Sequence, residues 1–158
     1  MMDELRELYQ EVILDHGKNP RNFREPPDAT CRAHGNNPMC GDRLTVFARV
    51  GADGRIEDAA FEGRGCAISM ASASMMTEIL QGKTVAEAQQ LFDSFHRMCT
   101  EDNSNMEDMA DADPDAVERL MVLSGVRAFP MRVKCATLAW HTMNAAVSDS
   151  DGDEVTTE

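Results

Sequence analysis

The chain has 158 residues, a formal net charge of −13 and 42% hydrophobic residues, which suits one compact domain with its own core. The acidic balance argues against a nucleic-acid-binding function, which needs clustered Lys and Arg, and no apolar run reaches the roughly 20 residues of a membrane span. The acidic N-terminus lacks the features of a secretory signal. An odd number of cysteines, five, argues against a disulfide framework, so we expect a cytoplasmic protein with reduced thiols.

The first half of the chain predicts one helix and then a small sheet. Apolar residues recur at helical spacing between Asp3 and His16, and Gly17 is the expected end of that helix. A strand is predicted at residues 29–35. Alternating apolar and polar residues then predict a hairpin of two strands, residues 44–50 and 56–62.

The second half predicts helices. One begins after Cys66, and the next begins at Thr84, where Glu87 completes a capping box. An acidic, weakly periodic stretch at about residues 100–125 is predicted to be an insertion, and residues 136–147 to be the last helix. Because strands come early and helices late, the fold class is α+β. The domain is assigned to residues 1–147, and the acidic residues 148–158 are predicted to be a disordered tail.

Three cysteines stand at predicted element boundaries and are candidate metal ligands. Cys40 is followed by Gly41 and Asp42, Cys66 follows Gly65 at a predicted helix start, and Cys135 comes just before the last helix. A thiol at a helix start is favoured as thiolate. Three thiolates and one carboxylate would make a tetrahedral donor set for zinc. Four cations stand within three residues of these ligands and would offset their charge: Arg43, Arg64, Arg132 and Lys134.

The remaining cysteines and the histidines give weaker signals. Cys31 and Cys99 lack a comparable glycine or cation setting and are interpreted as structural or incidental thiols. The four histidines show no paired ligand spacing and are expected to be capping, core or surface residues: His16, His34, His96 and His141. Motifs of nucleotide-binding loops and serine hydrolases are absent from the sequence.

Several stretches of the sequence together resemble the IscU/NifU-N family of iron–sulfur cluster assembly proteins. They are residues 9–16 (YQEVILDH), 18–23 (KNPRNF), 37–42 (NPMCGD) and 63–69 (GRGCAIS). The resemblance implies an α+β fold of the IscU/SufE-like kind, with a three-stranded antiparallel sheet and helices packed on it. It also implies that the three cysteines and the aspartate converge at one exposed end.

Two departures favour the SufU type within that family. Lys134 stands directly before Cys135, where scaffold members carry His. An insertion also lengthens the segment between Cys66 and Cys135. The resemblance implies that zinc is held by Cys40, Asp42, Cys66 and Cys135, with Arg132 supporting Asp42. It further implies a pyridoxal-phosphate cysteine desulfurase of the SufS kind as partner. The desulfurase would replace Cys40 on zinc with a His, so that Cys40 becomes the persulfide acceptor and passes sulfur to a downstream iron–sulfur assembly complex.

Two alternatives remain open at this point. The same ligands could assemble a labile [2Fe–2S] cluster, which would make the protein a scaffold. The site could also be a structural zinc in a non-catalytic module, although structural sites are usually all Cys or His. The preferred hypothesis is a zinc-dependent sulfurtransferase that works as the partner of a desulfurase.

Overall fold

The computed structural model describes residues 2–38, 41–100, 130–147 and 154–156, together with six isolated positions between residues 116 and 126. Cys40, most of the predicted insertion and most of the tail lie outside the described residues. The described elements follow the order helix, three strands, three helices and a short strand.

Four helices are described: α1 (Met2–Lys18), α2 (Ala67–Leu80), α3 (Val85–Thr100) and α4 (Pro130–Val147). The predicted capping box of α3 is confirmed, because the Thr84 N–H donates to Glu87 Oε1 at 3.0 Å and the Glu87 N–H donates to Thr84 Oγ1 at 3.1 Å. None of the helices within the described ranges combines the length and apolarity needed to cross a membrane.

The sheet contains β1 (Cys31–Asn37), β2 (Asp42–Val50), β3 (Ile56–Arg64) and β4 (Glu154–Thr156), in the order β3-β2-β1-β4. The first three strands are antiparallel, which confirms the predicted sheet and the α+β class. Within the predicted disordered tail, residues 154–156 differ from the prediction, because they pair in parallel with the open edge of β1. An unpaired strand edge offers backbone hydrogen bonds to any extended segment, whatever that segment's composition.

One face of the sheet is covered by α2 and α4 and forms the core. α4 lies against β1 and β2, α2 lies against β3, and the two helices also contact each other. The close approach of α4 depends on Gly35 in β1, since a Cβ there would collide with Thr142 Oγ1. α1 packs beside α2, where His16 Nδ1 lies 2.7 Å from Ser74 Oγ. This packing brings the start of α2 and the start of α4 to the same end of the sheet.

Three of the element boundaries that differ from the sequence prediction bear on the site. β1 runs to Asn37 and β2 begins at Asp42, so the ladder is longer than predicted. α4 begins at Pro130 rather than at residue 136, because proline is well suited to the first helical position, where no N–H partner is required. Cys135 therefore lies inside α4 and not at its start.

Candidate metal centre

Asp42 stands at the end of the β1–β2 ladder, where its Cα pairs with that of Asn37. Gly41 precedes it with φ of 73°, a left-handed conformation that glycine adopts without steric cost. The side chain of Asp42 points to the covered face of the sheet and is fully buried. A buried carboxylate requires hydrogen bonds or a cation, and two hydrogen-bond donors lie next to the Asp42 carboxylate.

The first donor is the backbone of Cys66. Cys66 caps the N-terminus of α2 in an extended conformation, and its N–H donates to Asp42 Oδ1 at 2.9 Å. The preceding Gly65 packs directly against the carboxylate, and a Cβ at this position would lie 2.6 Å from Asp42 Oδ1. The absence of a side chain at Gly65 therefore lets β2 and α2 meet at this point.

Besides β2 and α2, helix α4 contributes to this site, because it contains Cys135. Its side chain is fully buried. The ligand atoms of Asp42, Cys66 and Cys135 all lie within 4.8 Å of one another, and theirs is the one group of three or more metal-ligating side chains of this kind in the described part of the chain. Two thiol sulfurs and one carboxylate oxygen are donors that zinc accepts, with bond lengths of about 2.0–2.3 Å. The residues therefore fit a zinc ion, and the same donors also suit an iron–sulfur cluster.

The pKa of the Cys66 thiol is lowered from its ordinary 9.0 to about 6. The largest cause is a hydrogen bond from the Cys135 thiol, and the backbone N–H groups of Ser69 and Ile68 lower the pKa further. Burial and the negative charge of Asp42 act in the opposite direction. Cys66 is thus held as a thiolate near neutral pH, as its place at a helix start predicts. It is also the one half-exposed member of the three.

Three of the four predicted ligands are brought together, and Cys40 lies outside the described residues, so its ligation stays a prediction. Arg132 is exposed on the first turns of α4, and its support of Asp42 also stays a prediction. Of the other predicted cations, Arg43 and Arg64 are exposed cross-strand partners on β2 and β3. Cys31 lies at the far end of β1, and Cys99 is buried in the core.

Asn37 is the residue of this site that sequence reasoning missed. It is fully buried, and its Nδ2 lies 3.4 Å from Asp42 Oδ2 and 3.6 Å from Cys135 Sγ. One amide group thus donates toward both a carboxylate and a sulfur of the centre. The available signal was its position in the NPMCGD stretch, but burial of an Asn cannot be foreseen when the strand is predicted to end two residues earlier.

We expect Gly65→Ala to destabilise the protein and to weaken its metal binding. The new Cβ would overlap the Asp42 carboxylate, and overpacking of this kind costs about 1–3 kcal/mol. Thermal unfolding and zinc affinity measure the two effects. Gly17→Ala is the matched control, because a Cβ there meets Ala67 only at 3.4 Å and alanine favours helix. Equal behaviour of both variants would contradict the packing argument.

We expect Asn37→Ala to weaken zinc binding by about 10–100-fold, which is typical for loss of a partner that orients metal ligands. The fold should persist, since the side chain is replaced by a smaller one. Competition with a chromogenic chelator measures the affinity. Asn36→Ala is the control, because Asn36 is the neighbouring strand residue whose side chain lies on the opposite face. An unchanged affinity in Asn37→Ala would remove the assigned positioning role.

A comparison of the chain with known protein families identifies the family to which it belongs. Residues 8–118, more than half of the chain, match the family described as the NifU-like N terminal domain. The chain belongs to this family. The family membership expected from the sequence motifs is thereby confirmed.

Two relatives of this NifU-like domain carry different functional names. It is 40% identical over 146 residues, 92% of either chain, to the zinc-dependent sulfurtransferase SufU of Bacillus subtilis. It is 37% identical over 150 residues to the iron–sulfur cluster assembly scaffold protein IscU of Streptococcus pyogenes, covering 94% of this chain and 88% of the relative.

A solved structure shares the fold of this NifU-like domain. It is a putative iron–sulfur cluster assembly scaffold protein for the SUF system from Fervidobacterium islandicum. The two structures superpose with a TM-score of 0.76 at 30% identity, over 89% of this chain and 97% of the other. The predicted IscU-like architecture is therefore confirmed.

Proposed function

We propose that this protein is a zinc-dependent acceptor of persulfide sulfur from a cysteine desulfurase in iron–sulfur cluster assembly. The observation that carries the proposal is the convergence of Asp42, Cys66 and Cys135 within 4.8 Å. Similarity to a relative named as a zinc-dependent sulfurtransferase supports the choice of zinc and of sulfur transfer.

Asp42, Cys66 and Cys135 would hold the zinc ion together with Cys40, which is joined to Asp42 through Gly41 alone. Zinc, when bound, would keep thiolates deprotonated and restrained until a partner docks. Asn37 and the Cys66 N–H hold the Asp42 carboxylate in place. Arg132 is assigned the role of supporting Asp42. Its positive charge would offset part of the negative charge of the four anionic ligands.

Cys40 is assigned as the sulfur acceptor. Its thiolate would attack the outer sulfur of the cysteine persulfide on the desulfurase. A new S–S bond forms on Cys40, the S–S bond of the desulfurase breaks, and the desulfurase cysteine leaves as a thiolate. The step consumes no external oxidant, because the transferred sulfur already has the persulfide oxidation level. In the sequence, Cys40 stands between the last residue of β1 and the first residue of β2, and connections between strands often carry functional groups.

The proposed partner is a pyridoxal-phosphate cysteine desulfurase of the SufS kind, and the proposed recipient is a downstream iron–sulfur assembly complex. The proposed setting is the cytoplasm, where reducing conditions keep acceptor thiols available.

Aerobic purification followed by metal analysis and a desulfurase assay tests the proposal. We expect about one zinc per chain and a faster release of alanine from cysteine when the protein is added to the desulfurase. Zinc removal by a strong chelator should abolish the stimulation, and zinc readdition should restore it. Zinc without any effect on the desulfurase would instead indicate a structural module.

A scaffold function is the second candidate, and the relatives named IscU favour it. Two sulfurs and a carboxylate oxygen at this spacing also suit a [2Fe–2S] cluster. A brown protein that retains stoichiometric iron and sulfide through purification would support the scaffold and would contradict the zinc-dependent role.

A further inference from the structure

A surface groove between α3 and α4 contains two histidines that the proposed function does not use. The groove has a volume of about 410 Å³ and is lined by Phe92, Asp93, His96, Arg97 and His141. Four of these residues belong to one face of α3, and His141 faces them from α4. His141 lies six positions after Cys135, or about 9 Å along the helix axis, so the groove is separate from the cysteine centre.

The two imidazoles are close enough to share one ion. Their ring centroids are 5.6 Å apart and their planes differ by 74°. Two imidazoles bound tetrahedrally to one metal at about 2.0–2.1 Å have centroids roughly 5 Å apart, which is close to the separation of these two rings. Phe92 contacts His141 edge-on at a centroid distance of 4.9 Å and restricts the orientation of that ring.

We propose that His96 and His141, with Asp93 as a third ligand, form a second binding site for a divalent transition-metal ion such as Zn²⁺ or Ni²⁺. Imidazole and carboxylate are the donors that such ions accept. Asp93 precedes His96 by three residues on α3, so both side chains project from the same face of that helix. A histidine and a carboxylate at this spacing, completed by a ligand from a facing helix, recur in metal sites of helical proteins.

The surroundings of the pair agree with a metal ligand. Burial, followed by the charge of the neighbouring His96, lowers the pKa of His141 below its usual value. A neutral imidazole keeps a nitrogen lone pair for an ion. The exposed guanidinium of Arg97 lines the same groove and acts against a cation. The balance of Asp93 and Arg97 therefore sets the affinity of the site.

Asp93 would complete the set after rotation of its side chain. Among the described side chains, three ligand atoms lie within 4.8 Å of one another at the cysteine centre alone. In the groove, the two imidazoles lie close together and the exposed Asp93 carboxylate lies farther away. An exposed aspartate has few packing contacts to break on rotation. We therefore expect the groove to bind an ion more weakly than the cysteine centre does.

Calorimetric titration of the zinc-loaded full chain with Ni²⁺ tests the proposal. One further equivalent of Ni²⁺ should bind. His96→Gln or His141→Gln should lower the affinity for this equivalent by more than about tenfold, since loss of a residue that only hydrogen-bonds a metal ligand already lowers metal affinity by about 10–100-fold. Arg97→Gln should tighten binding. His34→Gln is the matched control, because His34 lies on β1 and hydrogen-bonds Thr45.

A second measurement covers the case in which His141→Gln fails to fold. Paramagnetic Ni²⁺ added to the unmodified zinc-loaded protein should broaden the ring signals of His96 and His141 before those of His16 and His34. The proposal is overturned if no further equivalent binds at millimolar Ni²⁺. It is equally overturned if His34→Gln lowers the affinity as much as the groove variants, or if the four histidines broaden together.

Discussion

Replacing Cys66 by serine is expected to reduce the zinc content from about one ion per chain to near zero, because zinc prefers thiolate to a neutral hydroxyl. Serine is close to cysteine in size and keeps the backbone N–H that donates to Asp42, so the fold should survive in the metal-free form. The protein should then lose the stabilisation that zinc supplies. That amounts to about 2.7 kcal/mol when free zinc is a hundred times its dissociation constant.

Thermal unfolding with and without added zinc measures this effect, together with metal analysis of the purified variant. Cys31→Ser is the matched control, because Cys31 is half-exposed like Cys66 but lies at the opposite end of the sheet, on the first residue of β1. Zinc should stabilise the Cys31 variant and leave the Cys66 variant unchanged. A Cys66 variant that still holds one zinc would remove this residue from the ligand set.

Replacing Cys40 by alanine is expected to abolish the transfer of sulfur to this protein while leaving part of its zinc binding. The ligand atoms of Asp42, Cys66 and Cys135 lie within 4.8 Å of one another, so this cluster of three proposed ligands stays intact in the Cys40 variant, whereas Cys66→Ser removes one of its members. The acceptor thiolate, however, is gone, and no S–S bond can form at this position. We expect loss of desulfurase stimulation and loss of the mass increase of one sulfur atom per chain.

Mass spectrometry of the chain after incubation with desulfurase and cysteine checks this outcome, and Cys31→Ala again serves as the control. Cys66 is the competing acceptor, because it is the half-exposed cysteine of the centre and its pKa is lowered to about 6. If the Cys40 variant still gains sulfur and the sulfur maps to Cys66, the acceptor role belongs to Cys66.

The fold followed largely from local patterns in the sequence. Alternation of apolar residues in β2 and the Thr84–Glu87 capping box depend on neighbours within a few positions, and both predictions are confirmed. The ends of elements were harder, because they depend on tertiary contacts. The sequence around Asn37 and Asp42 shows no alternation typical of a strand. The two residues nevertheless pair, because the hydrogen-bonded pairing of β1 with β2 continues to the end of both strands.

The sequence pointed to the candidate ligands of the site and did not point to the residues that surround them. Residue types singled out these candidates, Cys40 among them, helped by a neighbouring glycine at Asp42 and Cys66 and by nearby cations at Cys135, since the chemistry of metal binding is limited to a few side chains. The amide of Asn37 and the close contact of Gly65 with Asp42 arise only when β1, β2 and α2 come together in space. No spacing along the chain encodes such contacts, and the same holds for the meeting of His96 and His141 across two helices.

The hydrogen bonds of Asp42 have a consequence for its coordination chemistry. Oδ1 accepts from the Cys66 backbone and Oδ2 accepts from Asn37, so neither oxygen has both lone pairs to spare. A carboxylate whose two oxygens already accept hydrogen bonds shares its electron density with those donors, so Asp42 would be the most labile member of the proposed ligand set. Under a competing chelator, Asp42 should detach before the cysteine sulfurs, which would leave the ion on thiolates alone.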